Sequence, residues 1–118
     1  MHRYKELRVF QFARVLVREI YAVSAGFPKE ETYGLTSQIR RAATSVLLNI
    51  SEGAGRNTTK DFAHFLNIAS GSANEVEAAA IIALDQGYIE EKDLKDIADK
   101  IESLNNMLFK FQENLRSK

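Results

Sequence analysis

Apolar side chains recur from Leu94 to Leu115 at Leu94, Ile97, Ile101, Leu104, Leu108, Phe111 and Leu115, in steps of three and four without a break. That spacing keeps them together on one side of an α-helix, where they form a continuous seam that needs apolar partners. The same period recurs upstream. Val9, Phe12, Ala13, Leu16, Ile20 and Val23 mark one stripe of a helix over about 7–25, and Phe10, Val17 and Tyr21 mark a second beside it. Gly26-Phe27-Pro28 ends this helix, with Gly26 placed for a left-handed cap. Lys29 to Gly34 reads as a loop. A second helix over about 36–52 has Thr36 or Ser37 as its cap and stops at Gly53-Ala54-Gly55. Thr58 followed by Asp61 opens a third helix over about 59–86, which Gly87 closes, and the fourth covers about 91–115.

No segment shows the sustained alternation of a strand. An all-α, up-down-up-down antiparallel four-helix bundle is therefore the simplest assembly, with residues 1–118 forming one domain. Gly71 in mid-helix costs about 1 kcal/mol against alanine, so with Ala69, Ser70, Ser72 and Ala73 it reads as a flat patch where another helix passes closely. One stripe per helix fills a bundle core. The second stripe of the first helix and the small-residue patch are surplus and point to a homo-oligomer, for which a head-to-tail ring serves as well as a two-fold dimer.

Composition narrows the setting. The absence of cysteine excludes disulfides, a thiolate nucleophile and Cys-ligated zinc, and it fits a reducing, cytoplasmic location. The longest apolar run, Ala78 to Leu84, is far short of the roughly 20 residues that cross a bilayer, and Met1 to Glu6 does not lead into a signal-peptide pattern. No membrane partner is expected. Net charge is zero, but residues 1–56 hold nine Lys or Arg against five acids, +4, which leaves −4 for the remainder. Such asymmetry suits either a nucleic-acid surface or complementary faces that meet in self-assembly.

The second helix has an unusual polar stripe. Gln38, Arg41, Ser45, Asn49 and Glu52 fall at steps of three or four beside the apolar Ile39, Ala42, Val46 and Ile50. If this stripe is buried, Arg41 needs a partner, and Glu75 on the third helix is the natural one. Gln38, Arg41, Ser45, Asn49, Glu52 and Glu75 then form a hydrogen-bond network that fixes helix register. In the competing reading, Arg40, Arg41 and Arg56, with Asn57 and Lys60, form a phosphate-contacting surface near one end of the bundle. Gly53-Ala54-Gly55-Arg56 lacks the full phosphate-loop pattern. Catalytic and metal sites are not expected. A di-iron bundle needs two Glu-x-x-His motifs, and this chain has a single Asp61-x-x-His64. Pairing Ser45 or Ser72 with His64 as a dyad has no supporting spacing. No cofactor is implied.

Leu35, Gln38-Ile39-Arg40-Arg41-Ala42, Ser45, Asn49-Ile50-Ser51-Glu52-Gly53 and Arg56 are followed by Phe62, Phe65-Leu66, Ala69, Gly71-Ser72 and Glu75. This series resembles the signature of the four-helix bundle proteins called 23S rRNA-intervening-sequence proteins, over nearly the whole chain. The resemblance implies a small bundle assembled as a homo-oligomeric ring, typically a pentamer. A similar bundle is the accessory protein of diversity-generating retroelements, which binds nucleic acid and partners a reverse transcriptase. The family's own biochemical role is not established. RNA, DNA, a second copy of the chain or another protein are thus the expected partners, and a protein-binding adaptor without nucleic acid is the alternative.

Overall fold

The computed structural model describes residues 2–117, and among them four long helices carry the fold without a strand. They are α1 (Arg8–Ser24), α2 (Leu35–Ala54), α3 (Thr59–Asp85) and α4 (Glu91–Arg116), with single 3-10 turns at Tyr4–Glu6 and Lys29–Glu31. The molecule measures 47 × 24 × 20 Å. α1 and α3 each pack against both α2 and α4. Each helix therefore turns one apolar stripe to a shared core: Val9, Ala13, Leu16 and Ile20 from α1, Ile39, Val46 and Ile50 from α2, Leu66, Ala73 and Val76 from α3, and Ile97, Ile101, Leu104 and Leu108 from α4. The unbroken seam of α4 is buried except at Leu94 and Phe111, which are half-buried against the core.

The amino-terminal segment and the later turns of α4 meet at one pole. The His2 N–H donates to the Ala54 carbonyl at the end of α2, and the His2 ring packs on Phe62 of α3 and Phe111 of α4. At the other pole Phe27 and Tyr88 pack ring on ring. Between the poles Lys100 of α4 pairs with Glu19 of α1 at 3.0 Å.

Helix ends differ from expectation in instructive ways. α2 starts at Leu35, so Thr36 and Ser37 lie inside its first turn and do not cap it. Glu31 does this work: its Oε1 accepts the Leu35 N–H at 3.0 Å, while its Oε2 accepts the Tyr88 hydroxyl at 2.9 Å. One carboxylate thus ties the first connection, α2 and the α3–α4 turn. Gly26 does not adopt a left-handed conformation; α1 instead unwinds through successive short bonds from Gly26 to Val23 and from Phe27 to Ser24. Gly87 does take a positive φ of 79°. Its N–H donates to the Leu84 carbonyl and the Tyr88 N–H to the Ala83 carbonyl, the pair of hydrogen bonds that closes a helix through a left-handed residue. Thr58 caps α3 as expected, accepting the Asp61 N–H.

α2 stops within Gly53-Ala54-Gly55 as expected, but the close helix approach expected at Gly71 falls at Gly53 instead. α2 runs on to Ala54, so Gly53 lies within the helix, buried where α3 crosses it. A Cβ there would stand 2.9 Å from the Phe65 Cβ and 3.2 Å from the Phe62 carbonyl oxygen, neither of which can swing away. Gly71, by contrast, is exposed and a Cβ would meet nothing within 4 Å. The surplus on α1 is also smaller than expected, because Phe10 packs edge-on against Tyr4 and Val17 is half-buried on the core.

Two predictions follow from these ends and crossings. Gly71→Ala should raise stability by about 0.5–1 kcal/mol through helix propensity alone, and Gly53→Ala should lower it by about 1–3 kcal/mol through overpacking. Thermal melts of the two variants check both signs. The two hydrogen bonds to Glu31 hold its carboxyl below the usual 4.5. A lowered folded-state pKa means that its contribution is present above the unfolded value and is lost as pH falls through the folded one. On acidification from about pH 5 to about pH 3, the melting temperature of the wild type should therefore fall further than that of Glu31→Gln.

Candidate functional site

The expected polar network is divided by the fold. Ser45 and Asn49 are half-buried and joined, with Asn49 Nδ2 donating to Ser45 Oγ at 3.0 Å and to the Ser45 carbonyl at 2.8 Å. Their partner across the helix interface is Ser72, whose hydroxyl lies 2.8 Å from that of Ser45. Gln38, Arg41, Glu52 and Glu75 are exposed. Glu52 pairs with Arg56 at 2.9 Å, one turn along the chain, and Arg41 makes no ion pair among the described residues. The reason is rotational. The stripe is broad enough that its Ser45–Asn49 segment turns toward α3 while both ends face outward. Arg41 and Glu75 do share a cleft of about 540 Å³ with Tyr33, Ser37, Gln38 and Ser45.

The arginines also separate. Arg40 is half-buried and structural: its Nε donates to the buried Ser24 hydroxyl at 2.7 Å, its Nη2 to the Tyr21 carbonyl at 3.3 Å, and its guanidinium covers the Tyr21 ring at 4.6 Å. A cation there complements the carbonyl end of α1. Arg56 lies beyond the far end of α2, more than 20 Å away at about 1.5 Å per residue. Arg40, Arg41, Arg56 and Lys60 therefore do not form one surface at one end, as their closeness in sequence suggests. Arg56 and Lys60 belong to one pole and Arg40 and Arg41 to the region near the other.

Around Arg56 and Lys60 the fold gathers cations that no local motif announces. Lys60 shares a cleft of about 390 Å³ with His64 and with Arg116 from the end of α4. Arg3 and Lys5 line a neighbouring hollow beside Gly55, and Arg8 lies beside Lys110 in another. The Arg56 guanidinium stacks over Phe65 at 4.6 Å, and the His64 ring meets the same phenyl edge-on at 5.5 Å. Seven cations (Arg3, Lys5, Arg8, Arg56, Lys60, Lys110, Arg116) thus face four carboxylates (Glu6, Glu52, Asp61, Glu113) at this pole. The opposite pole carries Glu30, Glu31, Asp85, Glu90, Glu91, Asp93 and Asp96 against Lys29, Lys92 and Lys95, with Arg40 and Arg41 about a turn and a half further in. Reading by halves of the chain missed this division, because it arises from the return of α4 to the first residues.

His64 bonds to neither Ser45 nor Ser72, whose hydroxyls are engaged with each other. Among the described residues no group of three or more His, Asp or Glu side chains is placed to hold a metal ion, and no helix is long and apolar enough to cross a membrane.

The four-helix architecture and the Gln38–Glu75 signature define a class of small helical proteins. Residues 5–110 match the family described as 23S rRNA-intervening sequence protein, and the chain belongs to that family. In fold it is similar to the crystal structure, at 1.70 Å resolution, of a protein with unknown function from the S23 ribosomal protein family of Bacteroides thetaiotaomicron. That likeness has a TM-score of 0.81 and 24% identity, covering 88% of this chain and 97% of the other. No curated protein matches the chain.

Proposed function

We propose that this protein is a non-catalytic, cytoplasmic scaffold that binds structured RNA or DNA through its basic pole. Its helices run up, down, up and down, a reading supported by the pairing of Ser45 with Ser72, of Gly53 with Phe62 and of Phe62 with Phe111. The observation that carries the functional reading is the convergence of Arg3, Lys5, Arg8, Arg56, Lys60, Lys110 and Arg116 from three separate segments. Cations spread over one pole of a molecule with no net charge act on a polyanion through counterion release. Membership of a family named for an rRNA insertion agrees with such a partner.

Self-assembly into a ring, a pentamer by family resemblance, has its own support. Leu48 on α2 is 64% exposed, and Ile68 and the uncrowded Gly71 lie on the outer side of α3. In the alternative reading, a protein-binding adaptor, the basic pole meets the acidic pole of the next subunit and leaves no site for nucleic acid. Salt titration followed by fluorescence anisotropy separates the two. With labelled duplex DNA, log K should fall by roughly 0.9 per neutralised phosphate for each tenfold rise in salt, and Arg56→Gln/Lys60→Gln should flatten that slope where Arg41→Gln does not. Absence of binding at low salt by folded protein contradicts the nucleic-acid reading. Leu48→Glu should lower the sedimenting mass if the α2–α3 face joins subunits, and an unchanged mass removes that face from the assembly.

A further inference from the structure

α3 and α4 leave between them a groove that the core does not use. Near the basic pole Lys60, His64 and Asn67 line one wall and Gln112 and Arg116 the other. Every polar side chain lining this cleft can donate a hydrogen bond, and none is a carboxylate. Glu113 approaches Arg116 at 3.8 Å from outside the lining. Further along, the seam is closed by amides and a hydroxyl: Ser70 donates to Asn105, which donates in turn to Asn74.

Phe109 is the feature that the fold leaves unexplained. It is 61% exposed, although its neighbour Leu108 is fully buried and completes the core seam. Phe109 precedes Gln112 by three residues and Arg116 by seven, the spacing that puts all three on one face of α4. A flat apolar ring therefore stands beside a donor-rich, cationic groove.

We infer that the α3–α4 groove holds an unpaired stretch of nucleic acid, with phosphates at Lys60 and Arg116 and a base stacked on Phe109. The inference rests on the nucleic-acid reading above and goes beyond it by naming the strand state and the site. Cationic grooves flanked by aromatic rings hold single strands with little sequence preference, because every base offers a face for stacking. Bases inside a duplex have those faces covered by their neighbours, so only an unstacked base can use Phe109. Phe109 and Arg116 are separated by about 10 Å along the helix, so a strand that follows the groove passes both. Asn67 and Gln112, which line the same cleft, can both donate to and accept from base edges.

The test compares a labelled single-stranded RNA of about a dozen nucleotides with a duplex of the same length, by anisotropy at several salt concentrations. Phe109→Ala should weaken single-strand binding about tenfold or more and leave duplex binding unchanged, and Phe109→Tyr should retain it. Lys60→Gln/Arg116→Gln should flatten the single-strand salt slope by about 1.4, at roughly 0.7 per phosphate. Melting curves establish that each variant is folded. If the wild type binds nucleic acid and all three variants bind the single strand as it does, the groove assignment is overturned and the broader reading stands. Equal losses on single strand and duplex from Phe109→Ala also overturn it. Failure of the wild type to bind either at low salt overturns both.

Discussion

The close approach of α2 to α3 is the constraint on which the rest of the molecule depends. Small residues make it possible: Ala42, Ala43, Gly53 and Ala54 on α2 are buried, as are Ala69, Ser72 and Ala73 on α3. Gly53 leaves the space that the aromatic pair Phe62 and Phe65 fills, and the Ser45–Ser72 hydrogen bond fixes the two helices in register at their middle. A paired hydroxyl at this interface favours one alignment, since sliding by a turn breaks the Ser45–Ser72 bond and takes that partner from the buried Ser72 hydroxyl. With that pair set, α1 and α4 close the core from the remaining sides, held by Arg40 to Ser24 and by Lys100 to Glu19.

The same arrangement produces the molecule's polarity. Charges that alternate along the chain are sorted by where each helix starts and stops. The amino-terminal segment, the α2–α3 turn and the end of α4 bring cations to one pole, and the α3–α4 turn with the start of α4 brings acids to the other. Acids in the first turn of α4, at Glu91 and Asp93, also suit its dipole, so part of this distribution stabilises the helices themselves. At the basic pole Arg116, in the last turn of α4, and Arg56, just past the end of α2, suit those helix dipoles in the same way, whereas Arg3 and Lys5 precede α1 and have no such local account. We propose a polyanionic partner as their account.

Much of this was legible in the sequence, and the rest was hidden for identifiable reasons. Periodicity gives the four helices to within two residues at each end, because each stripe must reach one core. The turn at Gly87 and the cap at Thr58 were also readable, since both are local chemistry. Periodicity does not give which way a broad polar stripe rotates, so Arg41 and Glu52 were grouped with Ser45 and Asn49 although the bundle turns them outward. Which glycine marks the close helix approach, Gly53 or Gly71, is not legible for the same reason: the helix that approaches is distant in sequence. Glu31 was missed as a cap because its second partner, Tyr88, lies 57 residues away. Arg116 was missed as a neighbour of Lys60 because only the return of α4 brings it there.

The central claim is that nucleic acid meets the basic pole. The most direct measurement is amide chemical-shift mapping of the isotopically labelled protein during titration with a structured RNA. The account predicts perturbations gathered in residues 2–8, 56–67 and 109–117, with the acidic pole around residues 29–31 and 85–96 unmoved. Perturbations centred on the acidic pole or on the cleft around Arg41 and Glu75, or none at low salt, would contradict it.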